Sequence, residues 1–196
     1  MIDLPGAYEE ESHPFDEWRG ASGIFVLVNL TGRVAEQVRE VQLKYDPRLA
    51  RFAPPHLTLI GSSGAGPIAA DTSVEELRRV LEPIARETPP ITLELGPPVR
   101  FLQTNTFALP LDPHGPLREL HDRIRRSGLT FEPSRHAFTP HVTLSLYRTP
   151  TREEARELLS FRVQEPVVVD HLVCSLTEQP LPPKPLLELP LGSPGT

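Results

Sequence analysis

The sequence predicts an α+β protein of two pseudo-symmetric lobes, each an antiparallel sheet backed by helices, with a central groove between them. Three observations predict it. The order strand, helix, strand, helix, strand occurs twice along 196 residues. The two halves open on similar strands, Phe25-Val26-Leu27 and Phe107-Ala108-Leu109, and each carries the pattern Pro-His-x-Thr-Leu. Two such halves form a natural site where they meet, in the groove.

In the first half, residues 23–30 (GIFVLVNL) are a continuous apolar run, read as a buried strand, and Val34, Val38 and Val41 follow at helical spacing. A second strand covers 56–61. A helix then opens at Ser73, with Glu76 three residues on as a capping box, and carries Val74, Leu77, Leu81 and Ile84 on one face. A strand at about 90–101 closes this half. The second half repeats the order with a strand at 105–111, a helix at 117–127, a strand at 140–147, a helix from Thr151 with Glu154 as its capping partner, and a strand at 163–176. These elements set the boundaries: an acidic N-terminal extension at 1–21 with Glu9, Glu10 and Glu11 in a row, a bilobal domain at 22–178, and a Pro-rich C-terminal segment at 179–196. Residues 186–189 within that last segment read as an edge strand.

Composition narrows the class. Hydrophobic residues at 38% and charged residues at 23% describe an ordinary globular chain, and 24 prolines punctuate its loops. No apolar run reaches the roughly 20 residues of a membrane span, and the start lacks a charged region followed by an apolar one, so no membrane association and a cytoplasmic location are expected. A single cysteine, Cys174, lies in an apolar run and reads as a buried small hydrophobe. A net charge of −6 argues against wrapping long nucleic acid but not against gripping one phosphate. Lys44 and Lys184 are the only lysines, so arginine carries nearly all of the phosphate-binding capacity.

The chemistry lies in the repeated motif, Pro55-His56-Leu57-Thr58-Leu59 and Pro140-His141-Val142-Thr143-Leu144. Residues two apart on a strand point the same way, so His56 and Thr58 share one face while Leu57 and Leu59 enter the core; His141 and Thr143 do likewise. If a pseudo-twofold brings the strands together, two imidazoles and two hydroxyls converge. A neutral histidine can deprotonate a water or hydroxyl, a protonated one can donate to a leaving oxygen, and threonines can hydrogen-bond the non-bridging oxygens of a phosphate. Neither histidine has a local Asp, Glu or Cys partner, so neither a metal nor another cofactor is expected.

In these motifs the chain resembles the 2H phosphoesterases, whose signature is two His-x-Thr/Ser motifs in symmetric lobes, and most of all the branch labelled 2'-5' RNA ligase or RNA 2',3'-cyclic phosphodiesterase. The resemblance covers about residues 23–176. It implies that His56 and His141 are the catalytic pair, that Thr58 and Thr143 bind phosphate, and that the substrate is an RNA-type 2',3'-cyclic phosphate or a 2'-5' linkage. The branch usually has an Arg five residues after the second His, where this chain has Leu146; Arg148, two further on, and Arg135, in the loop before the motif, are the candidate substitutes. Tyr147, which shares the His141 face under strict alternation, is a candidate for stacking on a base. The expected partners are RNA ends or small nucleotide cyclic phosphates, such as a cyclic phosphate on ADP-ribose, and the expected state is a monomer. A rival of another class is an RNA-end binding module without turnover.

Other features read as bland. Lys44-Tyr45-Asp46-Pro47 falls short of the Lys-x-Asp-Gly of ATP-dependent ligases, so ligation would be the reverse of a transesterification. Residues 61–67 (GSSGAGP) lack the ending of a P-loop and read as a flexible rim loop. His121 lies on an apolar helix face as a core histidine, and His136, in the loop 133–139, is a further candidate for touching substrate.

Overall fold

The computed structural model describes residues 22–102, 104–134, 136–178 and 182–192. Arg135 and the acidic extension at 1–21 lie outside the described residues. In chain order the elements are β1 (Ser22–Asn29), α1 (Gly32–Tyr45), α2 (Pro47–Phe52), β2 (His56–Ile60), α3 (Val74–Glu87), β3 (Ile91–Leu93), β4 (Val99–Arg100), β5 (Phe107–Pro110), α4 (Gly115–Arg125), β6 (His141–Ser145), α5 (Arg152–Ser160), β7 (Val167–Val169), β8 (His171–Glu178) and β9 (Lys184–Pro190). This is the expected α+β protein. Its strands join in one seven-stranded antiparallel sheet, ordered β4-β5-β6-β2-β1-β8-β9, and a two-stranded sheet of β3 and β7.

The strand order carries the predicted pseudo-twofold axis. From the β6–β2 seam outward, β6-β5-β4 on one side answers β2-β1-β8 on the other, and β3 pairs with β7 across the same relation. The seam is thin, since β2 and β6 meet through one residue pair, Leu57 opposite Val142. The two lobes are therefore halves of one sheet that part on either side of that contact. Among the described strands β9 has no counterpart, and it extends the sheet over a longer stretch than the edge strand expected at 186–189.

Local chemistry explains where elements start and stop. Two long predicted strands are each broken: residues 94–98, with Gly96-Pro97-Pro98, separate β3 from β4, because proline cannot donate to a ladder, and Asp170 separates β7 from β8. Asp46-Pro47 ends α1 and starts α2, a helix not expected from the pattern, with Pro47 in its first turn and the Asp46 carboxylate accepting from Leu49 N–H at 3.0 Å. The capping box at α5 is complete: Glu154 N–H donates to Thr151 Oγ1 at 3.2 Å, and Thr151 N–H donates to Glu154 Oε2 at 2.8 Å. At α3 only half of it forms. Ser73 Oγ accepts from Glu76 N–H at 3.1 Å, while the Glu76 carboxylate lies 3.6 Å from Arg79.

One apolar core runs through both halves. It joins Val26, Val28 and Leu57 of one lobe to Phe107, Leu109 and Val142 of the other, with Leu77, Leu117 and Leu158 from the helices. Cys174 is fully buried within it, and burial pushes its thiol up to about 12. Among the described residues no helix is long and apolar enough to cross a membrane.

Candidate active site

The two His-x-Thr strands are copies of each other in burial and register. β2 and β6 share one pattern, with His and Thr half-buried and the residues after each fully buried, as strand alternation requires. In the first lobe His56 lies opposite Asn29, Leu57 opposite Val28 and Thr58 opposite Leu27; in the second His141 lies opposite Pro110, Val142 opposite Leu109 and Thr143 opposite Ala108. Even the irregularities match, with a bulge between Val26 and Leu27 answered by one between Phe107 and Ala108. Leu30 N–H donates to Pro55 O at 2.9 Å, and Leu111 N–H donates to Pro140 O at 3.0 Å.

The prolines before the histidines matter locally. A proline forces the preceding residue into extended backbone. Pro54 and Thr139 are those residues, and each offers its carbonyl to a ring: His56 Nδ1 donates to Pro54 O at 2.8 Å and His141 Nδ1 donates to Thr139 O at 2.7 Å. A carbonyl only accepts, so Nδ1 holds the proton and Nε2 is left as the basic nitrogen of each neutral ring. Burial pushes both histidines below the ordinary value of 6.5, outweighing the backbone bonds, and the charge of His56 pushes His141 further the same way.

Both rings line one open cavity of about 170 Å³, together with Thr58 and Thr143. No described residue hydrogen-bonds either threonine hydroxyl. Further hydroxyls come from Ser62, Ser63, Thr104, Thr106, Thr139 and Thr177, and aromatic rings from Phe25, Phe52, Phe101 and Tyr147. Phe101 packs edge to face on His141, centroids 5.0 Å apart. Such a wall offers neutral donors to an anion and flat faces to a base. Among the described residues no Lys or Arg lines the cavity, and no three His, Cys, Asp or Glu side chains cluster as metal ligands would.

Not every expected residue arrives at the cavity. β6 ends at Ser145, so alternation does not extend to residues 146–148. Arg148 instead pairs with Glu154 at 2.8 Å and donates to Tyr45 O at 3.4 Å, away from the lining. Tyr147 does line the cavity, for a reason other than alternation: the buried Asp46 carboxylate accepts from Leu146 N–H at 2.7 Å and Tyr147 N–H at 2.6 Å, which fixes the turn. His136 does not line it. The loop 61–67, expected to be a flexible rim, supplies Ser62 and Ser63 but is pinned on both sides. Gly64 N–H donates to His136 O at 2.9 Å and Ala65 N–H to His121 Nε2 at 3.3 Å. Gly64 and Gly66 have positive φ, and a Cβ on them would fall 2.3 Å from His121 Nε2 and 1.9 Å from Glu132 O, so only glycine fits there. His121 is the buried, satisfied histidine expected, with Nδ1 3.0 Å from Asp122 and its ring stacked on Phe138. Lys44 of the ligase-like tetrapeptide pairs with Glu157 at 2.8 Å and does not face the cavity.

Sequence reasoning missed Phe25, Phe52, Phe101 and Gln42. Gln42 is buried on α1, and its Nε2 donates to Thr143 O at 2.8 Å, a carbonyl that the thin seam leaves without a strand partner on that side. A polar residue inside an apolar helical stripe is the signal that could have pointed to it.

Comparison with known proteins agrees with the geometry. A model of the 2'-5' RNA ligase superfamily matches residues 31–179. A protein of Oceanobacillus iheyensis, provisionally named a phosphoesterase, is 33% identical over 124 residues, 63% of this chain and 68% of that protein. One of Geobacillus kaustophilus, named in the same way, is 31% identical over 114 residues, 57% of this chain and 62% of that protein. Among solved structures, Escherichia coli LigT complexed with phosphate superposes with a TM-score of 0.55 at 17% identity, covering 88% of this chain and 98% of that one. The same protein complexed with 3'-AMP gives 0.56 at 18% identity, with 88% and 99% covered. At that identity the likeness is one of fold.

Proposed function

Because the chain belongs to the 2'-5' RNA ligase superfamily, we propose that it is a phosphodiesterase that opens RNA-type 2',3'-cyclic phosphates by paired histidine acid-base catalysis, without a metal. The observation that carries this reading is the duplicated register. It sets on the walls of one cavity two imidazoles, each with Nδ1 held by a carbonyl, and two threonine hydroxyls that no described residue hydrogen-bonds.

The reaction follows from those groups. One neutral histidine takes a proton at Nε2 from a water as its oxygen bonds to phosphorus. The other, protonated, gives its Nε2 proton to the ribose oxygen as the phosphorus–oxygen bond of the ring breaks, and the product is a ribose monoester with a free vicinal hydroxyl. Thr58 and Thr143 donate to the non-bridging oxygens, where charge builds up. With a ribose 5'-hydroxyl in place of water as the attacking group, the same ring-opening steps would form a 2'-5' linkage and free the 3'-oxygen, and water favours hydrolysis. The binding of phosphate and of 3'-AMP by the structurally similar LigT supports a nucleotide as occupant of the cavity.

A turnover screen tests the reading, with 2',3'-cyclic and 3',5'-cyclic nucleotides, 2'-5' dinucleotides, cyclic-ended oligoribonucleotides and ADP-ribose cyclic phosphate, each with and without EDTA. Opening of the 2',3'-cyclic phosphates in EDTA is the expected result. Complete loss in EDTA with recovery on adding a divalent ion would overturn it, as would efficient cleavage of 3',5'-cyclic nucleotides. Binding of cyclic ends with no turnover would identify an RNA-end binding module.

A further inference from the structure

Resting on that reading, we infer that Arg48 is a specificity-determining residue that reads a second phosphate, the one on the 5' side of the ribose being processed, through its place above the Tyr147 ring at the edge of the cavity.

The cavity presents an electrostatic problem. A cyclic phosphate is an anion, the chain carries a net charge of −6, and among the described residues the lining has hydroxyls, rings and two histidines but no guanidinium or ammonium. Arg148, suited by sequence, is engaged by Glu154 and the Tyr45 carbonyl. Arg48 is different. It stands exposed on α2 with its guanidinium 4.5 Å from the centroid of Tyr147, which lines the cavity, and none of the ion pairs among the described residues involves it. Its neighbour Leu49 and, one turn on, Phe52 belong to the cavity wall, and Phe52 packs on Tyr147 with centroids 5.9 Å apart. Asp46 binds the first turn of α2 and the Leu146–Tyr147 turn with one carboxylate, so the backbone that carries Arg48 is held in a set place relative to the wall.

Size says what the arginine meets. About 170 Å³ is below the roughly 300 Å³ at which pockets begin to enclose a whole small ligand. The reacting phosphate and part of its nucleoside fill that space, and the remainder extends past the mouth. A group outside the lining but against one of its rings meets that extension. A planar, always-charged fork at the mouth suits a phosphate better than a base or a hydroxyl.

The test compares two mononucleotides that differ only there: adenosine 2',3'-cyclic phosphate and its 5'-phosphorylated form. The wild-type protein is expected to favour the 5'-phosphorylated substrate in kcat/KM by about tenfold, the order of one charge-assisted contact at an exposed site. Arg48→Gln should bring that ratio close to one, and the preference should weaken as salt rises in the wild type but not in the variant. Arg48 is exposed, so the substitution leaves the core intact. A ratio unchanged by Arg48→Gln would overturn the inference while leaving the cyclic phosphodiesterase standing, as would a ratio that falls with no change in salt dependence. Turnover of neither substrate by the wild type would overturn the parent reading and this one with it.

Discussion

The ring of Phe101 meets His141 edge to face, with centroids 5.0 Å apart and planes at 87°. Its counterpart under the pseudo-twofold is Ser175, opposite Phe25, so the ring that packs on His141 is not repeated at the matching position of the other lobe. If Phe101 fixes the orientation of the imidazole, Phe101→Ala should lower kcat by a few-fold to about tenfold, since an aromatic pair contributes about 0.5–1.5 kcal/mol beyond its buried area. Phe101→Tyr should restore most of it. Steady-state kinetics on a 2',3'-cyclic nucleotide decides, and a change in KM alone would show that Phe101 serves binding instead.

Removing the acid or the base should be far costlier. His56→Ala and His141→Ala are each expected to lower kcat by about 10² to 10⁴, and the double variant by little more than the worse single one, because the two act in one step. Thr58→Ala and Thr143→Ala should each cost less, as each removes a neutral hydrogen bond. A substrate whose leaving group needs no protonation should rescue the variant lacking the acid and not the other. Full activity in both histidine variants would end the account.

Burial lowers both histidines, so the singly protonated pair of the free protein exists below the ordinary value of 6.5. The bell-shaped profile of kcat/KM should therefore peak on the acid side of that value, while the profile of kcat shifts upward because a bound phosphate anion favours imidazolium. A kcat/KM optimum well above 7 would contradict the proposed pair.

The same shifts predict a change in stability. A histidine with its pKa lowered by folding binds protons more readily when unfolded, so its stabilising contribution is complete above about 6.5 and is lost as pH falls through that value toward the folded-state pKa. The Tm should fall between pH 7 and pH 5, and less steeply in the double variant His56→Ala, His141→Ala. Saturating phosphate should offset the fall, since it favours the protonated rings in the folded state. Thermal melts across that window check all three.

Asp46 tests the scaffold. Its carboxylate accepts from Leu49, Leu146 and Tyr147 N–H, and Asp46→Ala would leave three donors without their acceptor. At about 1–3 kcal/mol for each unsatisfied buried group, the loss should be at least about 3 kcal/mol, seen as a clear drop in the denaturation midpoint. Asp46→Asn, which keeps one accepting oxygen, should lose less.

The sequence by itself determined how the two His-x-Thr motifs face. Proline before His56 and His141 sets extended backbone, and the two-residue period of a strand then puts His and Thr on one side and Leu on the other, so the same pentapeptide yields the same local structure twice. The repeated order of elements in the two halves follows from apolar patterns a few residues long. What only the tertiary structure decided is everything that joins distant segments. Gln42 and Thr143 are 101 residues apart, as are Asp46 and Tyr147, and no local period encodes either contact. Arg148 was drawn to Glu154, Tyr147 was held at the cavity by Asp46, and Phe101 was set against His141 because packed strands and helices leave each side chain only the partners that the whole chain brings within reach.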